Sequence, residues 1–157
     1  MKIILVGASG DVGKATFAEL SQRHEFVRVG RKTGEVRADI SDLGSIEAMY
    51  QEIGAFDALV SAAGHVHFVP LSEQTDASLK MELENTVMGQ VNLVLEGLKR
   101  LAGDGSFTLT SGVLDRDPAV AGTAAALANG ALAGFDKGAA IEMPPGVRIN
   151  AVSPGAA

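Results

Sequence analysis

The sequence contains no cysteine and no tryptophan, and Tyr50 is its single tyrosine. The missing cysteines exclude disulfides, thiolate metal sites and a cysteine nucleophile. No apolar run approaches the ~20 residues of a membrane-spanning helix, and the apolar run after Met1 is too short for the core of a signal peptide. There are 13 Lys and Arg against 19 Asp and Glu, with no basic run, which argues against nucleic acid or an anionic membrane as a partner. These absences predict a soluble, cytoplasmic protein.

The 157 residues, 46% of them hydrophobic, suit one domain with a substantial core. Short apolar runs predict strands at 3–6, 26–29, 36–38, 58–60, 106–110 and 147–152. Apolar residues at helical spacing predict helices at 12–22, 45–53, 73–101 and 119–143. Repeated strand–helix–strand units predict an α/β fold, a doubly wound parallel sheet with helices on both faces in three layers.

A glycine-rich turn follows the first predicted strand. It reads Gly7-Ala8-Ser9-Gly10-Asp11-Val12-Gly13, between a strand typical of a buried sheet and a predicted helix. Glycine lets the backbone turn tightly and approach a pyrophosphate, and the helix offers free N–H groups and its positive dipole end. The alternative is a tight turn without a ligand. We interpret the turn as the dinucleotide site of a Rossmann-type domain that includes Gly7, Ser9, Gly10, Asp11, Val12 and Gly13.

The end of the second predicted strand indicates which dinucleotide is bound. An acidic side chain there would favour NAD by binding the ribose hydroxyls. The sequence instead has Arg31 and Lys32 after Gly30, and a guanidinium matches a 2′-phosphate in charge and geometry. We therefore expect NADP(H) rather than NAD, unless these two cations only solvate a loop.

Further motifs follow the glycine turn in order: Ala38-Asp39-Ile40, Ser61-Ala62-Ala63-Gly64, the run from Gly105 to Ser111, and the run from Arg148 to Gly155. Together they resemble the short-chain dehydrogenase/reductase family over essentially the whole chain, although the glycine spacing is closer to its extended and atypical branches. In that family Asp39 and Ile40 would lie near the adenine, Ala62, Ala63 and Gly64 would line the cofactor cleft, and Pro154 and Gly155 would touch the nicotinamide. Asn85 matches the active-site asparagine and Ser111 the catalytic serine.

The family's catalytic tyrosine, and the lysine four residues after it, are missing. The resemblance implies that the tyrosine protonates the carbonyl oxygen, while the lysine lowers its pKa and holds the nicotinamide ribose. Their positions correspond to Ala125 and Asn129, and residues 119–136 contain neither tyrosine nor lysine. Asn129 retains the ability to hydrogen-bond a ribose hydroxyl but supplies no charge. Tyr50 belongs to a helix that is remote from the cleft in this fold.

Histidine is the nearest substitute for the missing acid, because its ordinary pKa suits proton transfer. His65 and His67 follow the Ala62–Gly64 turn, and His65 is the preferred candidate since it is nearer the turn. The bland alternative is a surface or hydrogen-bonding histidine. The sequence places no acidic third ligand near the pair, so no metal site is expected.

These features predict an NADP(H)-dependent oxidoreductase of an atypical branch, acting on a small carbonyl or related substrate with Ser111, Asn85 and His65 as catalytic candidates. The alternative is a non-catalytic NADP(H)-binding sensor or scaffold. A third reading, chemistry such as isomerisation that needs no acid, has no supporting feature. The resemblance also implies a homodimer or homotetramer, and a single domain over residues 1–157 that lacks the family's C-terminal substrate loop and last strand.

Overall fold

The computed structural model describes residues 1–155. The predicted domain end at Ala157 therefore lies outside the described residues. The strands are β1 Lys2–Val6, β2 Glu25–Gly30, β3 Val36–Arg37, β4 Phe56–Ser61, β5 Leu101–Thr110 and β6 Arg148–Val152. The helices are α1 Asp11–Leu20, α2 Leu43–Ile53, α3 Asp76–Glu82, α4 Gly89–Leu98 and α5 Thr123–Ala140, with a π-helical segment at Leu83–Met88 and a 3₁₀ turn at Leu71–Glu73.

The six strands form one parallel sheet in the order β3-β2-β1-β4-β5-β6. The predicted Rossmann-like parallel α/β fold is thereby confirmed. The chain runs outwards from β1 to β3 and then returns to the other side of β1 with β4. Such a reversal of strand order opens a crevice at the carboxyl ends of the strands, where open α/β sheets bind ligands.

The core forms where the sheet meets the helices. Ile4, Leu5 and Leu59 are fully buried in the central strands, which explains their uninterrupted apolar runs. Tyr50 is also fully buried, in α2, and its hydroxyl donates a hydrogen bond to the carbonyl of Leu93 in α4. The single tyrosine is therefore a core residue on one side of the sheet. No helix among residues 1–155 is both long enough and apolar enough to cross a membrane.

The predicted helical region at 73–101 is present as one continuous run from Asp76 to Leu98, in which a π-helical segment joins α3 to α4. Thr75 and Ser78 form a reciprocal capping box, so α3 begins at Asp76 and not at Glu73. The π-helical segment then accommodates an extra residue before α4, and α4 ends at Leu98 because β5 already begins at Leu101. The predicted helical region is therefore confirmed, and it was about three residues too long at each end.

The predicted helix at 119–143 was too long at both ends. Ala121 has a left-handed φ of 62° and Gly122 is the N-cap, so α5 begins only at Thr123. At the other end it stops at Ala140, four residues before Pro144 of the Pro144-Pro145-Gly146 turn.

Candidate functional site

A cavity of about 750 Å³ lies at the carboxyl ends of the strands, where the strand order reverses. Its volume suits a cofactor or other small molecule. Most of the predicted site residues line it, namely Gly7, Ser9, Gly10, Arg31, Lys32, Asp39, Ile40, Ala62, Ala63, Gly64, His65 and Asn85. Other predicted residues do not line it, namely Asp11, Val12, Gly13, Ser111, Asn129, Pro154 and Gly155.

The glycine turn approaches the cavity with bare backbone. Gly7 has a φ of 82°, and a Cβ there would lie 2.7 Å from the backbone of Ala62. A Cβ on Gly13 would lie 2.2 Å from the carbonyl oxygen of Gly7, so this glycine is required for α1 to pack against the turn. Gly10 differs: among the described residues, and apart from its own chain neighbours, a Cβ there would meet the Gly7 oxygen alone, at 3.5 Å. The space beside Gly10 is left open by the fold.

The first turn of α1 supplies free donors to this open space. The earliest helical hydrogen bond is made by the Lys14 N–H, which donates to the Gly10 carbonyl at 2.8 Å. The preceding helical N–H groups, on Asp11, Val12 and Gly13, therefore have no partner within the helix. Free N–H groups beside an open glycine turn are the arrangement that binds a pyrophosphate. The residues present thus fit a dinucleotide, and Asp11, Val12 and Gly13 would contribute through their backbone.

Two cations line one end of the cavity. Arg31 and Lys32 are exposed, and neither forms an ion pair with any residue in the described range 1–155. The neighbouring Arg28 is different, because its guanidinium is bound to the Glu35 carboxylate at 2.6 Å. The positive charges of Arg31 and Lys32 are therefore available to bind an anionic group of a ligand.

Asp39 closes this end of the cavity from the loop after β3. Its carboxylate accepts hydrogen bonds from the Ser41 hydroxyl at 2.7 Å and from the Ser41 N–H at 3.0 Å. These bonds hold the pKa of Asp39 below its usual range, and the charge of Arg31 acts in the same direction. The carboxylate oriented by Ser41 is suited to accept from an N–H or hydroxyl of a ligand.

The carboxyl ends of β4 and β5 are fixed by polar contacts that sequence reasoning missed. Gln90 is fully buried in α4, where its amide donates to the Thr110 carbonyl at 2.8 Å and accepts from the Thr110 N–H at 3.1 Å. The Thr110 hydroxyl in turn donates to the Ser61 carbonyl at 2.7 Å. The ends of β4 and β5, and hence the position of Ser111, are held by this chain of bonds. The sequence signal for these contacts was Gln90 itself, a polar residue among the buried apolar residues of α4.

The positions of the missing tyrosine and lysine are occupied by tightly packed side chains. Ala125 is fully buried, and Asn129 is 5% exposed. The Asn129 side-chain oxygen accepts from the Leu114 N–H at 3.3 Å, and its backbone carbonyl accepts from the Ser111 hydroxyl at 3.1 Å. Asn129 therefore holds the loop after β5 against α5. The predicted bond from Asn129 to a ribose stays a prediction.

At the other end of the cavity lie two histidines and Asn85. The rings of His65 and His67 are perpendicular with their centroids 4.7 Å apart. The expectation that no acidic group lies near them was wrong, because Glu82 of α3 is 3.1 Å from His67 Nδ1. This contact was not predicted because the two residues are 15 positions apart in the sequence. Residues 1–155 nevertheless contain no group of three His, Asp or Glu side chains arranged to bind a metal.

Comparisons with known proteins agree with this geometry. The model of the enoyl-(acyl carrier protein) reductase family matches residues 1–157. The protein lin1944 from Listeria innocua is 48% identical, with a TM-score of 0.96 over 99% of this chain and 78% of that one. A small-chain dehydrogenase solved in complex with NADPH is 29% identical, with a TM-score of 0.87 over 99% of this chain and 70% of that one.

A structure of BdcA in complex with NADPH, 22% identical, matches in fold with a TM-score of 0.87 over 98% of this chain and 70% of that one. No curated protein matched the sequence.

Proposed function

The chain belongs to the short-chain dehydrogenase/reductase family, and we propose that it is an NADP(H)-dependent oxidoreductase that acts on a small carbonyl or related substrate. The observation that carries the proposal is a single cavity that brings together an open glycine turn and two cations, Arg31 and Lys32, which form no ion pair among the described residues. The same cavity continues to His65, His67 and Asn85.

The preference for NADP(H) depends on Arg31 and Lys32. A 2′-phosphate placed between them would gain charge-assisted hydrogen bonds that a free ribose hydroxyl does not make. The relative at 29% identity was solved with NADPH, which supports the same choice here. Gly7, Gly10 and the first turn of α1 would hold the pyrophosphate. Bound NADPH would supply the hydride from its nicotinamide ring.

The substrate would lie at the nicotinamide end of the cavity. We assign to Ser111 the role of orienting the substrate oxygen. Its hydroxyl donates its one proton to the Asn129 carbonyl at 3.1 Å in this structure, and it would turn from that partner to donate to the substrate oxygen. The proton would come through water, Asn85 or a histidine of the 65–67 segment. The absence of the Tyr and Lys pair from residues 119–136 supports placement in an atypical branch of the family.

The second candidate is a protein that binds NADP(H) without catalysis. The observation that favours it concerns the two positions where the family has its tyrosine and lysine. Ala125 is fully buried there, and the Asn129 side chain is hydrogen-bonded to the Leu114 N–H. A sensor or scaffold would keep the glycine turn and Arg31 but would not need an acid.

A screen of carbonyl and enone substrates with NADPH distinguishes the two candidates. The oxidoreductase proposal predicts NADPH consumption above the enzyme-free rate with at least one substrate class. NADPH binding without turnover across the panel would favour the binding protein. The double variant Ala125→Tyr with Asn129→Lys would then be expected to gain activity if it folds, and circular dichroism checks folding because Tyr must enter a fully buried position.

A further inference from the structure

The segment that follows the Ala62–Gly64 turn is held in place at both ends. The His65 carbonyl accepts from the Thr86 hydroxyl at 3.0 Å, in the π-helical segment. Further along, the Val69 N–H donates to the Ala121 carbonyl at 2.9 Å, just before α5. The Val69 carbonyl also accepts from the Gln74 amide at 3.2 Å. These bonds fix the backbone on both sides of His67 where it lines the cavity.

A buried carboxylate orients the ring of His67. Glu82 is 5% exposed, and its Oε2 lies 3.1 Å from His67 Nδ1, whereas the His67 side chain is 61% exposed. The Thr86 hydroxyl lies 3.4 Å from the other Glu82 oxygen. An ionised carboxylate only accepts hydrogen bonds, so beside ionised Glu82 the proton of a neutral His67 ring belongs on Nδ1. Nε2 is then the ring atom that takes up and releases the second proton.

We propose that His67 is the proton donor that replaces the missing tyrosine, and that Glu82 is its positioning residue. The inference rests on the proposed function. As hydride from NADPH forms the new C–H bond, the carbonyl π electrons move to oxygen, which takes the proton from His67 Nε2. The products are an alcohol and NADP⁺, and the neutral ring regains its proton from solvent through its exposed edge. The step consumes one NADPH, one carbonyl and one proton.

The other proton-carrying side chains are less suited to this role. Tyr50 is fully buried in the core and its hydroxyl is bound to Leu93. Asn85 lines the cavity, but an amide has no proton that it releases near neutral pH. His65 also lines the cavity, yet it has no carboxylate partner within residues 1–155, and the charged group that faces the pair is Glu82. Among residues 1–155, His67 is the one histidine that both lines the cavity and contacts a buried carboxylate.

The test uses the variants His67→Gln and Glu82→Gln, with Glu84→Gln as the matched control. Glu84 is an exposed carboxylate two residues after Glu82 and lies outside the cavity lining. For each protein, kcat and KM are measured with the best carbonyl from the screen, and the Kd for NADPH is measured separately. Nitrogen-15 NMR of the histidine rings reports the tautomer of His67 without reference to activity.

His67→Gln is expected to lower kcat by about 10²–10⁴-fold, the usual contribution of a general acid, with the Kd for NADPH unchanged. Glu82→Gln is expected to lose part of the same kcat, and Glu84→Gln none of it. The wild type should show His67 with its proton on Nδ1 when neutral, and Glu82→Gln should mix the tautomers.

Turnover by the wild type together with an unchanged kcat in His67→Gln would overturn the inference and leave the oxidoreductase standing. A His67 ring without a proton on Nδ1 would overturn the pairing with Glu82 whatever the activity. Wild-type protein that binds NADPH but reduces nothing would overturn the proposed function, and the inference with it.

Discussion

Gly10→Ala separates what the fold requires from what a cofactor requires. In the glycine turn, a Cβ at position 10 would meet only the Gly7 carbonyl oxygen at 3.5 Å, which is ordinary van der Waals contact. The residue has φ −77° and ψ 172°, a backbone conformation that alanine adopts freely. Alanine is a poorer N-cap than glycine, so we expect the free energy of unfolding to fall by less than about 1 kcal/mol.

The same methyl group would enter the space beside the first turn of α1. A pyrophosphate displaced from these N–H groups loses at least one hydrogen bond to a charged group, about 1.5–3 kcal/mol. That loss raises the Kd for NADPH by roughly ten- to a hundredfold. Titration monitored by the fluorescence of NADPH measures it, and the chain contains no tryptophan to interfere.

Gly13→Ala is the matched contrast. Its Cβ would lie 2.2 Å from the Gly7 oxygen and 2.8 Å from the Ala8 Cα, both backbone atoms that cannot move aside alone. We expect it to lower the free energy of unfolding by about 1–3 kcal/mol or more through overpacking. If Gly10→Ala folds normally and binds NADPH with the wild-type Kd, the cofactor does not approach this turn and the reasoning fails.

Three further outcomes are expected. Arg31→Ala should raise the Kd for NADPH by about tenfold or more and leave the Kd for NADH unchanged. Arg37 lies outside the cavity lining, so the control variant Arg37→Ala should change neither Kd. Equal losses of affinity for both cofactors would contradict a 2′-phosphate site. Burial raises the pKa of Tyr50, so its phenolate absorbance should be absent from the folded protein above pH ~10. The unfolded chain loses that proton and the folded chain keeps it, so the free energy of unfolding should fall by about 1.4 kcal/mol per pH unit there; phenolate at its ordinary pKa before unfolding would refute the burial. Gln90→Leu leaves the N–H and carbonyl of Thr110 without their side-chain partner and should lower the free energy of unfolding, measured by chemical denaturation, by about 2 kcal/mol or more. Unchanged stability would show that these two hydrogen bonds do not hold the ends of the strands.

Local sequence patterns predicted the strands, the parallel sheet and the glycine turn because each depends on neighbouring residues. The apolar run at Ile3–Val6 is buried along β1, as its composition indicated. Helix boundaries were less accurate: α3 begins after the Thr75 cap and not at Glu73, and α5 begins at Thr123 and not at Ala119. Hydrogen-bonded caps decide these ends, and periodicity does not report them.

The contacts that organise the site join distant parts of the chain. His67 meets Glu82 across 15 residues, and Gln90 meets Thr110 across 20. Neither spacing carries a signal in sequence, because loop closure and side-chain direction decide which groups meet. The preference for His65 over His67 came from distance along the chain, whereas the structure distinguishes the two by the Glu82 carboxylate.

The most direct test of the central claim is an equilibrium titration of the wild-type protein with NADPH and with NADH under identical conditions. The open glycine turn and the cations of Arg31 and Lys32 predict saturable binding of NADPH at one site per chain, with NADH bound at least about tenfold more weakly. Absence of NADPH binding, or tighter binding of NADH, would contradict the assignment of this cavity to NADP(H).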